Sequence, residues 1–286
     1  MLRCGKSSGC AIGAYVNGME NLNSFQSAIG KKLAVVLWYI HWPEPFPRAE
    51  ADAVYANGSM PLITWEPWVK DGLAEIVSGK HDGYIREFIQ AAKDCGRPIL
   101  LRFAHEMNGN WYPWDGFHNG ANPAAAERYK RVWLSIYNVR QELQADNIKL
   151  VWCPNHADLP AADWNKLTAY YPGDQYVDWV GMDGYNWGYG KWETFDLIFG
   201  QAYKELTRLT DKPLMIGEFG SAESGGSKAE WIKDAFLNLK KDYQRVKLLC
   251  WFNINKERDW RVDSSPSAVA AFRDEIADSF FVENLI

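Results

Sequence analysis

Two glutamates are placed to do chemistry. Glu106 closes the run ILLRFAHE and Glu218 closes PLMIGE, so each emerges directly from apolar sequence of strand type. A carboxyl group delivered at the end of a buried strand can trade a proton or attack an electrophile. Two such groups facing one another over a bound substrate suit glycosidic bond cleavage: one protonates the departing oxygen, and the other attacks the anomeric carbon or activates water.

The residues around them carry polar handles. Arg102, His105 and Asn108 flank Glu106, and that stretch ends in Trp111, Tyr112 and Trp114. His105-Glu106 opens the zinc-protease motif H-E-x-x-H, but Met107, Asn108 and Gly109 follow, so the second His is missing and no metal is expected. A lone His105 then reads as a hydrogen-bonded structural residue. In GMDGYN, Asp183 is placed to position Arg102 or a substrate hydroxyl, and Tyr185 to hydrogen-bond an ionised carboxylate and keep it charged.

Elements must hold these groups in place. Apolar runs of strand length recur at residues 12–16, 33–40, 60–65, 98–103, 148–153, 178–182, 213–216 and 246–252. Most are followed by helical patterns. Residues 84–95 put Ile85, Phe88, Ile89 and Ala92 on one face; Asn122 caps a helix with Pro123 in its first turn; Ser227 with Glu230 reads as a capping box; a last helix is expected over 267–280. Unbroken apolar strands alternating with amphipathic helices argue for a parallel sheet covered on its outside. Eight such units predict an α/β fold, a single (β/α)8 TIM barrel forming one catalytic domain over residues 1–286, with 1–11 a poorly structured leader. The first strand reads GAYVNG, without the G-x-G-x-x-G of a dinucleotide fold.

In such a barrel the site lies at the carboxyl ends of the strands. Those ends supply Tyr15, Trp38, His41, Trp65, Glu66, Trp68, Asn108 and Trp251 as candidate substrate contacts. Glu66 is a third strand-end carboxylate, suited either to a sugar hydroxyl or to a salt-bridged wall. Phosphate-binding loops, nucleophilic serine motifs and metal clusters are missing.

Composition fits this reading. Aromatic residues reach 15%, with 15 Trp and 14 Tyr, enough for a core and for flat faces against sugar rings. The net charge is −5 and no Lys/Arg cluster appears, which argues against nucleic acid and anionic membrane as partners. Of five cysteines, Cys95, Cys153 and Cys250 read as buried free thiols, and only Cys4 and Cys10 are placed to bridge. No stretch approaches the roughly 20 apolar residues of a membrane span or the long apolar region of a secretory signal. The chain reads as a soluble mature form or a catalytic piece of a longer protein.

RFAHEMNGNWYPW, VGMDGYN and IGEFG, taken together and in this order, resemble glycoside hydrolase family 26, a retaining barrel family best known for endo-β-mannanases. The resemblance implies Glu106 as acid/base and Glu218 as nucleophile, with Arg102 and Tyr185 contacting the nucleophile. It further implies His105 and Trp111 as substrate-binding positions near the scissile bond, Asp183 as another site residue and Trp251 as an aromatic platform. Mannanases of that family usually carry a Trp-His pair at the end of strand three, where this chain reads Trp65-Glu66-Pro67-Trp68. That departure, with the compact length, leans the expected substrate to mixed-linkage β-1,3-1,4-glucan, ahead of mannan, then β-1,3-xylan, then a non-catalytic sugar-binding barrel. The expected protein is an extracellular monomer acting on a polysaccharide without a cofactor.

Overall fold

The computed structural model describes residues 9–285. Eight parallel strands close on themselves: β1 (Cys10–Tyr15), β2 (Val35–His41), β3 (Met60–Glu66), β4 (Ile99–Phe103), β5 (Ile148–Trp152), β6 (Trp179–Asn186), β7 (Leu214–Ser221) and β8 (Val246–Phe252). Each pairs with the next, and β1 joins both β8 and β2, so no barrel edge is left open. The helices α1 (Leu22–Ile29), α2 (Arg48–Ala56), α3 (Gly72–Val77), α4 (Asp82–Asp94), α5 (Pro123–Glu142), α6 (Phe195–Leu209), α7 (Lys228–Lys241) and α8 (Pro266–Ile276) cover the outside. The β5–β6 connection has only short 3-10 turns, so one of the eight units lacks its helix. None of the helices among the described residues is long and apolar enough to cross a membrane.

The caps explain where several helices begin. The Asn122 side chain accepts from the Ala124 amide at 2.9 Å with Pro123 just inside, and Ser227 accepts from the Glu230 amide at 3.2 Å. The last helix stops at Ile276 rather than 280, because Phe281–Val282 form a short strand, β9, that pairs parallel with Cys10 and Ala11. Cys10 and Ala11, inside the leader expected over 1–11, are instead buried residues of β1. Cys10, Cys95, Cys153 and Cys250 are buried thiols, while Cys4 lies outside the described residues.

Strand alternation sorts the core into two layers. Val35, Leu37, Leu62, Leu100, Val151, Met215 and Leu248 fill the barrel interior, while Val36, Ile63, Leu101, Leu150, Ile216 and Leu249 meet the helices. This division decides which strand-end residues face the mouth. Tyr15, Tyr39, His41, Glu66, Arg102, Asp183, Tyr185 and Phe252 share the parity of the inner set.

Candidate active site

Arg102 is the centre of the site. It follows Leu100 on the inner face of β4 and is fully buried. Its Nε and Nη2 donate to Thr64 Oγ1 at 2.9 and 2.7 Å, its Nη1 to both Asp183 oxygens at 3.0 and 2.8 Å, and its Nη2 to Glu218 Oε1 at 2.5 Å. One buried cation therefore serves two carboxylates. Gly217 makes the room: a Cβ there would lie 2.6 Å from Asp183 Oδ1 and 2.8 Å from Arg102 Nη1.

Glu218 reaches the same cluster through an irregularity in β7. Met182 pairs with Ile216 but Asp183 pairs with Glu218, so Gly217 is an extra residue and the bulge turns Glu218 inward. Tyr39 Oη donates to its Oε1 at 2.6 Å and Tyr185 Oη to its Oε2 at 2.5 Å. Burial works against this anion, but the Arg102 charge and the two phenol hydroxyls outweigh it and hold its pKa down at about 2. Asp183 has no phenol donors, and burial outweighs Arg102 there, pushing it up to about 8.

Glu106 sits just past β4 on a strained turn. Ala104 and Glu106 have φ of 44° and 54°, a left-handed conformation costing of order 1–3 kcal/mol for a non-glycine residue. The Glu106 amide is held by the Cys153 carbonyl at 2.8 Å. Burial, reinforced by the neighbouring acids Asp183 and Glu218, holds its carboxyl well above the usual range, against the Trp111 Nε1–H that donates to it at 2.8 Å. The two glutamates are thus driven apart, one toward the acid and one toward the anion.

His105 lies behind them, 1% exposed, with Nε2 3.6 Å from Glu218 Oε1 and 3.3 Å from Tyr112 Oη. Burial and the Arg102 charge push its pKa down to about 3, so the ring is neutral near pH 7 and supports the site without an ion pair. Potential ligand atoms of His105, Asp183 and Glu218 fall within 4.8 Å of one another, a spacing that suits a metal ion. The positive charge between the two carboxylates is already supplied by Arg102.

The glutamates open into a cleft of about 840 Å³ lined by Tyr15, His41, Glu66, Trp68, Trp111 and Tyr185 among the expected residues. Glu66 is buried, accepting from Trp68 Nε1 at 3.1 Å and lying 2.9 Å from His41 Nε2. Burial raises its carboxyl. Four expected contacts are corrected. Trp38, Trp65 and Trp251 have outward parity and pack toward the helices; Trp65 stacks on Phe88, and Trp251 meets Phe219 and Phe272 edge-on. Asn108 is fully buried and spends its amide on Asn155 O and Asp158 Oδ1. Tyr39, Tyr112, Phe252, Trp187 and Trp260 line the cleft instead. Alternation along β2 and β8 would have found Tyr39 and Phe252; Trp187 and Trp260 sit in loops with no periodic signal.

Residues 76–263 match the model of "Glycosyl hydrolase family 26". Endoglucanase H of Acetivibrio thermocellus is 41% identical over 281 residues, spanning 94% of this chain and 31% of that protein. A mannan endo-1,4-beta-mannosidase of Bacillus subtilis is 28% identical over 66% of this chain and 47% of its own length. The chain thus spans about a third to a half of these relatives. A solved Bacillus subtilis mannanase superposes with a TM-score of 0.73 at 21% identity, covering 98% of this chain and 88% of that one, which supports the barrel fold. With the match to the family model covering more than half of its length, the chain belongs to glycosyl hydrolase family 26.

Proposed function

We propose that this protein is a retaining endo-glycanase that cleaves a β-glycan by double displacement, with Glu218 as nucleophile and Glu106 as acid/base. The observation that carries the reading is the opposed state of the two carboxyls: Glu218 is kept ionised by Arg102, Tyr39 and Tyr185, while burial keeps Glu106 protonated. In the first step a Glu218 oxygen bonds to the anomeric carbon as the glycosidic C–O bond breaks, and the departing oxygen takes the Glu106 proton. In the second, water attacks the same carbon, Glu106 takes its proton and Glu218 is released. Charge on Glu106 changes between the steps, and the Trp111 hydrogen bond favours its anionic form.

The substrate we infer is mixed-linkage β-1,3-1,4-glucan, with mannan the competing reading. The relative at 41% identity bears an endoglucanase name, whereas the mannan-cleaving relative above matches at 28% over a shorter span. Glu66, with His41 and Trp68, presents a carboxylate and an indole at the cleft wall. A polymeric substrate implies an extracellular place of action. Reducing-sugar release from lichenan, glucomannan, carboxymethylcellulose and β-1,3-xylan tests the reading. Lichenan should be cut fastest, and proton NMR should show the β-anomer of the new end first. An α-anomer appearing first would overturn retention, and silence on all four substrates would overturn the assignment.

The acid/base role has its own pH signature. Trp111→Phe keeps a ring but removes the Nε1–H donor, so the Glu106 carboxylate loses a stabilising hydrogen bond and its pKa rises further. One such bond corresponds to roughly 0.5–1 pH unit. The alkaline limb of kcat/KM, which reports the loss of the Glu106 proton in the free enzyme, should move up by that amount. A limb that stays still or moves down would remove Glu106 from the acid role.

A further inference from the structure

Away from the reacting carboxyls, one buried charge has no part in the chemistry above. Lys228 opens α7 and is 1% exposed. Its ammonium donates to the carbonyl oxygens of Asp259 and Arg261, both at 2.8 Å, and to Ser264 Oγ at 2.7 Å. Those three bonds use all its N–H groups, and all three acceptors belong to the segment between β8 and α8. Glu223, just past β7, approaches at 3.9 Å and accepts from Ser264 Oγ at 2.5 Å. Burial pushes the Lys228 ammonium down to about 8, against the raising influence of Glu223, Asp259 and Asp263 and with Arg261 lowering it further. A charge is kept in so costly a place only where directed hydrogen bonds satisfy it.

The clamped segment carries Trp260, which walls the cleft. Its ring packs on Tyr185, centroids 4.7 Å apart, and on Trp187 at 5.2 Å, and Tyr185 is the residue that donates to Glu218. The Trp260 carbonyl is pinned separately by Trp251 Nε1 at 2.8 Å. We propose that Lys228 is a positioning residue, a tethered internal cation that folds segment 259–264 across the barrel mouth and so fixes Trp260 as the wall behind Tyr185. The kinetic consequence rests on the glycanase reading; the ordering of the segment does not.

Lys228→Met keeps the length of the side chain and removes its charge and donors. Amide hydrogen exchange over residues 258–264 should quicken by at least about tenfold while the barrel strands stay protected. With lichenan as substrate, KM should rise by about tenfold and kcat change by less than about threefold, the pattern of lost binding rather than lost chemistry. Trp260→Ala should raise KM similarly, and the double variant should be no worse than Trp260→Ala, since both act through one ring. Lys228→Arg, which retains the charge, should recover part of the exchange protection. Should Lys228→Met fold poorly, Ser264→Ala removes one of the three Lys228 acceptors, together with the Ser264 bond to Glu223, and should quicken the same peptide by a smaller factor. Unchanged exchange at 258–264, or KM effects that add in the double variant, would overturn the proposal. A wild-type protein that cuts no glycan would instead count against the glycanase reading, with exchange still deciding the role of Lys228.

Discussion

Glu218→Ala is expected to lower turnover by at least about 10⁴-fold while leaving a folded barrel, because no other group in the cleft is positioned to form the covalent bond. Glu218 takes one contact from Arg102, whereas Asp183 keeps two, at 3.0 and 2.8 Å, so the buried cation is not stranded when Glu218 is removed. The truncation opens a small anion-sized space beside Arg102, Tyr39 and Tyr185. Azide entering it can attack the anomeric carbon of an aryl β-glycoside from the face that Glu218 used. The product should then be the α-glycosyl azide, one inversion instead of two. Glu106→Ala gives the opposite pattern, since its loss leaves the nucleophile in place: added azide should intercept the glycosyl-enzyme and give the β-azide. If the two variants exchanged these products, the assigned roles would be reversed; if Glu218→Ala kept more than about 1% of wild-type turnover, the nucleophile would lie elsewhere.

The barrel was legible because parallel strands buried on both faces read as unbroken apolar runs, as in Leu33 to Ile40 or Val246 to Phe252. The same property hid the facing of each side chain. Trp38 and Tyr39 are neighbours of similar character at the end of one strand, yet Trp38 packs outward and Tyr39 holds Glu218. Trp251 and Phe252 repeat the problem on β8, where the resemblance favoured the tryptophan and the inner face belongs to phenylalanine. Counting alternate residues from Val35 or Leu248 resolves both pairs. The same count misleads at Glu218: from Met215 it points Gly217 inward and Glu218 outward, and only the bulge restores the carboxylate to the mouth. Glu218 stands out in the sequence because it follows an apolar strand run, a signal that does not say which face it takes. Asn108 was misread for another reason, since a polar residue past a strand can satisfy backbone groups as readily as a ligand. Trp187, Trp260 and the Lys228 clamp depend on contacts between segments distant in sequence, which no local pattern encodes.

Arg102→Met should be the most destabilising single change near the site, by about 3–5 kcal/mol at neutral pH, because it leaves the buried Glu218 anion without its cation and takes from Asp183 both of its Arg102 contacts. For a chain of this size that corresponds to a fall in Tm of roughly 5–8 °C. The deficit should depend on pH in a definite direction. Arg102 lowers the pKa of both Glu218 and Asp183. Without it both folded-state pKa values rise, and a group whose folded pKa is raised loses its contribution as pH increases. In the wild type, Glu218 has the opposite sign: its contribution is present above the unfolded pKa near 4 and is lost as pH falls through about 2. The gap between the two proteins should therefore open as pH rises above about 2 and continue to widen toward and past about 8, where wild-type Asp183 ionises. Thermal melts from pH 4 to 8.5 measure this directly. Adding Asp183→Asn removes an acid that must take up a proton to stay buried, so Arg102→Met with Asp183→Asn should melt higher than Arg102→Met alone at pH 7. A deficit independent of pH, or a double variant less stable than Arg102→Met, would mean that Arg102 contributes by packing its stem and not by balancing the two acids.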